Sequence, residues 1–468
     1  MPFSKHTGDA VTFFLVAGAA GLAVVSAMAG DNKFAFVLPL ALAVALALGI
    51  LAITRFEAYV LVLLAARASL DLTKLSAPGG GGGLSRAIDP AGLLGIQFIV
   101  LATFWLAAQH RARDLEPVSP LTKALAVFIA ACVLSLVSSR DLVPSAIELI
   151  RIFTAVSMFV VLEQLLGNPA ILRRALMAVY ASALFPLALT AFGFLTGNPR
   201  SEGKGGFVRI MGTFNQSNTF GRYLMLLTVF GVALWPHLEP KIRRWMTGVL
   251  AGCAVCLPLT YTRSAIIGAG LGLLVVGLLQ SRNLILGLIL ASVLALALVP
   301  QFALRFSELA EPVPSSSDRA GNSLQWRLEY WGQVATLARR SPVWGIGLGQ
   351  TQRITEAQKQ PHNDVLRAFV ETGLLGLAGY LLSLFAMVRL AYLAVTATRA
   401  DRLDPSIRRG VAVGFAGCVA AFISVSLVAN VITNVVNLWY FLTFAAAASC
   451  VARSKESTHQ WRSATIST

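Results

Sequence analysis

Charge is scarce in this sequence. Only 13% of its 468 residues are Asp, Glu, Lys or Arg, against 56% hydrophobic residues, and the mean hydropathy is +0.72. A chain of that balance cannot hide its apolar side chains in one water-soluble core, so lipid has to be the solvent for most of it. Cysteine is also scarce: Cys132, Cys253, Cys256, Cys418 and Cys450 all fall in apolar stretches. That placement gives no disulfide framework, and Cys253-x-x-Cys256 inside a hydrophobic run reads as helix packing. Paired histidines at metal spacing, a Walker loop, a Gly-x-Ser-x-Gly elbow and an acidic cluster in a polar loop are missing, which leaves nucleotide-driven and metal-dependent chemistry without support. Gly79 to Gly83 follow Pro78, but no Gly-Lys-Ser/Thr comes after them, so they read as a flexible linker.

What the chain has in abundance is apolar runs long enough to cross roughly 30 Å of hydrocarbon, where only helices satisfy their own backbone. Spans are expected near 11–28, 34–53, 56–72, 90–108, 121–138, 145–166, 172–195, 219–235, 245–261, 264–279, 284–299, 366–395, 410–431 and 435–451. The fold class is therefore an all-α polytopic transmembrane bundle of about 12–14 spans. The first run is long for a signal-peptide core and reads as a retained helix. The third, bracketed by Arg55 and Arg67, is short enough to be tilted, thinned or re-entrant, with Arg67 and Asp71 placed to pair at i,i+4.

The net charge of +16 does not point to nucleic acid, because the basic residues fall mainly in short loops between apolar runs. With a cytoplasmic N-terminus, Arg111, Arg113, Arg173, Arg174, Lys241, Arg243, Arg244, Arg282, Arg399, Arg408, Arg409 and Arg453 share the inner side, as the positive-inside rule asks. The same topology sends 72–89, 197–217, the turn Tyr261–Ser264 and the long loop 300–366 outward. The chain divides into amino-terminal spans (1–196), a core with the outer loops 197–217 and 300–366 (197–395), carboxy-terminal spans (396–451) and a cytoplasmic tail (452–468). In the long loop, Leu324, Leu328, Trp331 and Leu337 recur at helical spacing, predicting an amphipathic interfacial helix with Trp326, Trp331 and Trp344 at headgroup level.

Of five histidines only His362 falls on the outer side, in Gln360-Pro361-His362-Asn363-Asp364-Val365-Leu366-Arg367, where the long loop meets the next span. Imidazole takes a proton near neutral pH unaided, although a capping or interfacial histidine is the simpler reading of that position alone. Arg209, Arg222 and Arg263 lie close to the outer surface, where the positive-inside rule predicts few cations. Guanidinium groups there suit a diphosphate, with snorkelling or local ion pairs as the plainer alternative. Glu148 and Arg151, one turn apart in an apolar span, are expected to pair toward the bundle interior.

These segments carry a resemblance. Pro361-His362-Asn363-Asp364-Val365-Leu366, running into Val370-Glu371-Thr372-Gly373-Leu374-Leu375-Gly376-Leu377, resembles the signature of the O-antigen ligase and O-antigen polymerase superfamily. Ser341-Pro342-Val343-Trp344-Gly345-Ile346-Gly347-Leu348-Gly349 before it, the stretch Arg209 to Asn218, and Tyr261-Thr262-Arg263-Ser264 also fit, so the likeness covers roughly residues 205 to 380. It implies a lipid-using, inverting glycosyltransferase of the bacterial inner membrane, working at the periplasmic face without metal or nucleotide sugar. The donor would be a glycan on undecaprenyl diphosphate, and no other cofactor is expected. Carried over, His362 is the general base and Arg209 and Arg263 the diphosphate clamp, with Arg222 and Arg327 as further contacts and Asn363, Asn218 and Glu371 in support. Arg339, Arg340 and Arg353 compete for the same role. Expected partners are membrane lipid, a glycan or lipid A core acceptor, a flippase and a chain-length regulator. Shared motifs do not separate polymerases from ligases. The 209–218 stretch and the Arg67 to Asp71 element resemble exopolysaccharide polymerases more. A transporter of lipid-linked sugars is the rival from another class, but it would favour internal repeats and ionisable residues at midplane.

Overall fold

The computed structural model of the chain describes residues 33–73, 90–112, 115–204, 207–298, 323–399 and 407–453. In chain order the helices are α1 (Lys33–Thr54), α2 (Phe56–Ala66), α3 (Pro90–Ala112), α4 (Pro120–Ser135), α5 (Leu142–Leu165), α6 (Pro169–Ala181), α7 (Leu184–Leu195), α8 (Ser217–Leu234), α9 (Pro240–Leu259), α10 (Arg263–Gln280), α11 (Arg282–Leu298), α12 (Ser323–Leu337), α13 (Asp364–Ala397), α14 (Ile407–Ser426) and α15 (Val435–Arg453). Ten helical segments of the described residues are long and apolar enough to cross a membrane, which makes this a multi-pass membrane protein. They coincide with ten of the expected spans, and 34–53 and 284–299 form as α1 and α11. The expected first span, 11–28, and the glycine linker lie outside the described residues.

The third expected span is a broken one. Its helix α2 has 11 residues, about 16 Å of rise, which is short of the bilayer core. Glu57 at its start pairs with Arg174 at 2.9 Å. At its far end the Tyr440 hydroxyl donates to the Leu64 carbonyl (3.0 Å) and accepts from the Ala68 amide (3.1 Å), while Thr213 donates to the Ala68 carbonyl (2.7 Å). Side chains of neighbouring elements thus satisfy the backbone groups that the break frees, as non-helical chain at membrane depth requires. Arg67 and Asp71 form the expected ion pair at 3.2 Å, both buried.

The centre of the bundle is α8, α14 and α15, which are apolar on all sides because they are buried on almost all sides. Helix α8 packs on α9, α10 and α14, α15 on α5, and α13 on α4. Helices α10 and α14 touch backbone to backbone: a Cβ added at Gly272 would lie 2.8 Å from the Gly417 carbonyl, and one at Gly417 equally close to that of Gly272. At the Arg453 end of the bundle the buried Glu163 carboxylate gathers Thr122 (2.8 Å), Ser119 (3.0 Å), Arg453 (2.7 Å) and Ser449. Burial of that charge is tolerable because every partner donates to it.

Three features depart from the expectations, all at the opposite, His362 end. Residues 197–217 contain a hairpin, β1 (Ser201–Lys204) against β2 (Phe207–Ile210), antiparallel with Glu202 opposite Arg209. The thirteenth expected span ends at Ser426 rather than at 431, so that an eight-residue loop, 427–434, joins α14 to α15. Helix α12 forms within the long loop, but its buried face is Tyr330, Val334 and Leu337 with Ala338 just beyond, while Leu328 is 56% exposed. Of the residues chosen by apolar spacing, Leu337 lies on that face and Trp331 is half-buried, while Leu328 stands off it. Trp331 turns its indole N–H to the Pro361 carbonyl (2.5 Å) instead of a headgroup, while Trp344 stays exposed; the side chain of Trp326 lies outside those described.

Candidate active site

The hairpin and the turn 260–262 build one side of the site. Glu202 accepts hydrogen bonds from the backbone amide of Ser217 (3.1 Å) and from its hydroxyl, which fixes the start of α8. Its cross-strand neighbour Arg209 is buried and heavily engaged. Nε donates to the Thr260 carbonyl (2.8 Å), and Nη2 to Asn218 (2.6 Å) and the Thr262 hydroxyl (3.0 Å), with Glu202 4.0 Å from Nη1. Arg209 therefore braces the turn from which Arg263 opens α10. Close approach is needed here, since a Cβ on Gly221 would lie 2.7 Å from the Thr260 hydroxyl.

Helix α13 supplies the other side. Asn363 caps it, its side-chain oxygen accepting from the Leu366 amide at 3.0 Å. His362 just before the cap holds φ = +53°, a left-handed conformation that costs a non-glycine residue about 1–3 kcal/mol unless its surroundings fix it. Its Nδ1 lies 3.2 Å from Nδ2 of Asn430 in the 427–434 loop. Asp364, fully buried, accepts from the Val431 amide (3.0 Å) and the Ile432 amide (3.2 Å) of the same loop. Three further bonds pin it: Arg327 to the Val428 carbonyl (3.1 Å), Arg367 to the Thr433 hydroxyl (2.8 Å) and Asn434 to the Thr219 hydroxyl (3.1 Å).

Arg222, one turn inside α8, is 7% exposed, and its Nε is buried with no hydrogen-bond partner. It lies within electrostatic reach of Asp364, Arg327 and Arg209, so three guanidiniums gather in this region with the Asp364 and Glu202 carboxylates. Burial pushes the Arg327 guanidinium below its ordinary value, because leaving water disfavours its charged form. An anion arriving there would gain from cations already stripped of water.

Beneath the site, the Gly-x-Gly-x-Gly element and Glu371 form one support. Gly373 has φ = +68° and breaks α13. The carbonyls freed at Val370 and Glu371 accept from the amides of Ile346 (3.0 Å) and Gly347 (3.1 Å), and the Leu374 amide donates to Pro342 (2.9 Å). Gly345, Gly347 and Gly349 all have positive φ (75°, 102° and 75°), the backbone shape that wraps this loop around the break. The Glu371 carboxylate then accepts from the Gly349 amide (2.8 Å), the Thr351 amide (3.4 Å) and Arg367 Nε (2.9 Å). Arg367 also faces Glu148 at 3.5 Å, so the expected Glu148–Arg151 pair (2.6 Å) is one edge of a larger network.

The structure thus brings His362, Arg222, Arg327, Arg209 and Asn218 to one end of the bundle, with Arg263 at the adjoining turn. It places Asn363 as a cap and Glu371 as a support below. Sequence reasoning missed Asn430 and Asp364 as partners of the histidine segment. A run of Asn430, Asn434 and Asn437 at the last inter-span turn was the available signal.

The described residues thus form an all-helical membrane bundle with a polar, cation-rich region beside one imidazole at one end. Residues 247–381 match the family model described as O-antigen ligase, which places this stretch in the O-antigen ligase and polymerase superfamily of glycosyltransferases. No curated protein matches the chain. The matched stretch holds Arg263, the glycine loop, His362 and Glu371, while Arg209, Arg222 and Asn430 lie outside it.

Proposed function

We propose that the chain transfers a glycan from undecaprenyl diphosphate to an acceptor hydroxyl at the periplasmic face of the bacterial inner membrane, as a polymerase of polysaccharide repeat units. The observation that carries this reading is the buried, partnerless Nε of Arg222 in the cation-rich region that adjoins the His362 segment. A hydroxyl is a poor nucleophile until a base takes its proton, and a diphosphate leaves readily only when fixed cations hold its developing charge.

In the proposed step the acceptor oxygen bonds to the anomeric carbon of the donor glycan while His362 takes the hydroxyl proton. The bond from that carbon to the phosphate oxygen breaks, its electron pair stays on undecaprenyl diphosphate, and the anomeric centre inverts. Arg222, Arg327 and Arg263 hold the leaving group. Arg209, whose Nε and Nη2 are already bonded to the protein, contributes through Nη1 and by fixing the turn before Arg263. The reading needs neither metal nor nucleotide, and it includes assembly with a flippase and a chain-length regulator.

The likeness of residues 247–381 to the O-antigen ligase family favours a second reading, a ligase that moves finished glycan to lipid A core. Transfer by purified protein in nanodiscs tests both, with a lipid-diphosphate glycan as donor and either a second such lipid or lipid A core as acceptor. A ladder on the first acceptor supports the polymerase, product only on lipid A core the ligase. Full activity in His362→Ala would remove the general base from either.

A further inference from the structure

The hydrogen bond between Asn430 and His362 decides which ring nitrogen can act. A neutral imidazole carries one proton, and whatever faces Nδ1 chooses where it sits. With Asn430 Nδ2 donating to Nδ1, at 3.2 Å, the proton belongs on Nε2 and the ring has no lone pair left for a substrate; in that arrangement Asn430 Oδ1 is buried without a hydrogen-bond partner. Turning the carboxamide over places Oδ1 on Nδ1–H instead. Nε2 then keeps its lone pair, and when it accepts a proton the Nδ1–H···O bond gains charge assistance. An oxygen acceptor behind the far ring nitrogen is the arrangement that holds a basic histidine in the productive tautomer.

We propose that Asn430 is the positioning residue of His362, its carboxamide oxygen taking the Nδ1 proton so that Nε2 is the atom that accepts the proton of the acceptor hydroxyl. This rests on the general-base reading above. Asn430 is suited to the task because its loop cannot drift. Arg327 holds it two residues before, Asp364 holds the next two amides, and Arg367 holds Thr433. On the ring's side, the Trp331 bond to the Pro361 carbonyl and the Asn363 cap fix the residues flanking His362. The left-handed His362 backbone is what aims the ring from the start of α13 across to a loop more than sixty residues away in sequence.

Charged groups on the elements around the ring are Lys359, Asp364, Arg367 and Glu371 on its own segment, Arg327 and Glu329 on α12, Arg222 on α8, and Arg209 and Glu202 on the hairpin, with Glu148 of α5 facing Arg367. A carboxylate at position 430 would add a negative charge at hydrogen-bond distance from the imidazole.

The test measures kcat and KM for the lipid-diphosphate donor against pH, in nanodiscs, for wild type, His362→Ala, Asn430→Ala and Asn430→Asp. Asn430→Ala should lower kcat by about 100-fold with KM for the donor within about twofold, since only the base is misaligned. Asn430→Asp keeps an oxygen facing Nδ1 and adds a charge that favours the imidazolium. The His362 pKa rises, the base stays protonated to higher pH, and the acidic limb of the profile should move up by about one pH unit or more. Asp is isosteric with Asn, so this arm stands even where the Ala variant folds poorly. An unmoved acidic limb in Asn430→Asp overturns the proposal, as does an Asn430→Ala variant with wild-type kcat or with its loss confined to KM. Those results beside an inactive His362→Ala remove only Asn430's role, whereas an active His362→Ala removes the base itself.

Discussion

Replacing Glu371 with Ala should destabilise the protein more than any other single change near the site. Its side chain is 1% exposed and accepts from two backbone amides and from Arg367, which is itself 2% exposed. Removing one partner of a buried ion pair costs about 3–5 kcal/mol, because the other charge stays behind. Here Glu148, at 3.5 Å from Arg367, offsets part of that loss. The amides of Gly349 and Thr351 lose their acceptor as well, at about 1–3 kcal/mol for each group that remains buried. A net cost of about 4 kcal/mol follows, which corresponds to a fall in melting temperature on the order of 10 °C. Fluorescence-monitored unfolding in detergent reads it directly. Glu371→Gln should lie between, since one carbonyl oxygen survives but its NH2 faces a donor. Wild-type melting of both variants would refute the idea that this carboxylate holds the glycine loop to the break in α13.

Gly347→Ala should reduce both yield and melting temperature, because its φ of 102° disfavours a side chain and the new Cβ meets Ser139; an unchanged melting curve would count against the positive-φ role of the motif. On α12, Val334→Asp should cost about 2 kcal/mol or more while Leu328→Asp is nearly neutral, and equal effects in the same melting assay would restore the face read from spacing. Lysine substitutions separate two arginines. Arg209→Lys forfeits the fork that ties Thr260, Asn218 and Thr262 together and should lower the melting temperature, whereas Arg222→Lys should raise KM for the lipid-diphosphate donor about tenfold with melting little changed. The reverse pattern would exchange the two roles.

The spans were legible because nothing in lipid competes with the length and apolarity of a run, so periodicity and register hardly mattered. Even the weakness of the third span could be read, since Arg55 and Arg67 stand too close together for a full crossing. Residues whose role depends on a partner far along the chain were less legible. Arg209 looked like a free cation at the surface, yet its donors turn inward to a turn some fifty residues later. Glu148 and Arg151 were paired correctly, but the nearby Arg367 was invisible to an i,i+3 argument. Leu337 was placed correctly on the buried face of α12 and Leu328 was not, because apolar residues in a loop helix can face lipid, a neighbouring loop or solvent, and spacing does not say which.

The glycine motif shows why a sequence signature and a chemical site need not be the same residues. Gly345, Gly347, Gly349, Glu371 and Gly373 touch one another, and their geometry accounts for the pattern as a device for breaking α13 and bracing the break. What that brace delivers is a rigid start to α13, where Asp364 and Arg367 reach sideways and grip the loop 427–434. The loop lies outside the family-matched stretch, as do Arg209 and Arg222 on the hairpin and α8. The matched segment therefore supplies the histidine and its support, while the flanking elements supply its ring partner and two of the surrounding arginines, Arg209 and Arg222. Substitutions in 427–434 or 200–222 can then alter how the histidine and the cations meet a substrate without touching the motif by which the family is recognised.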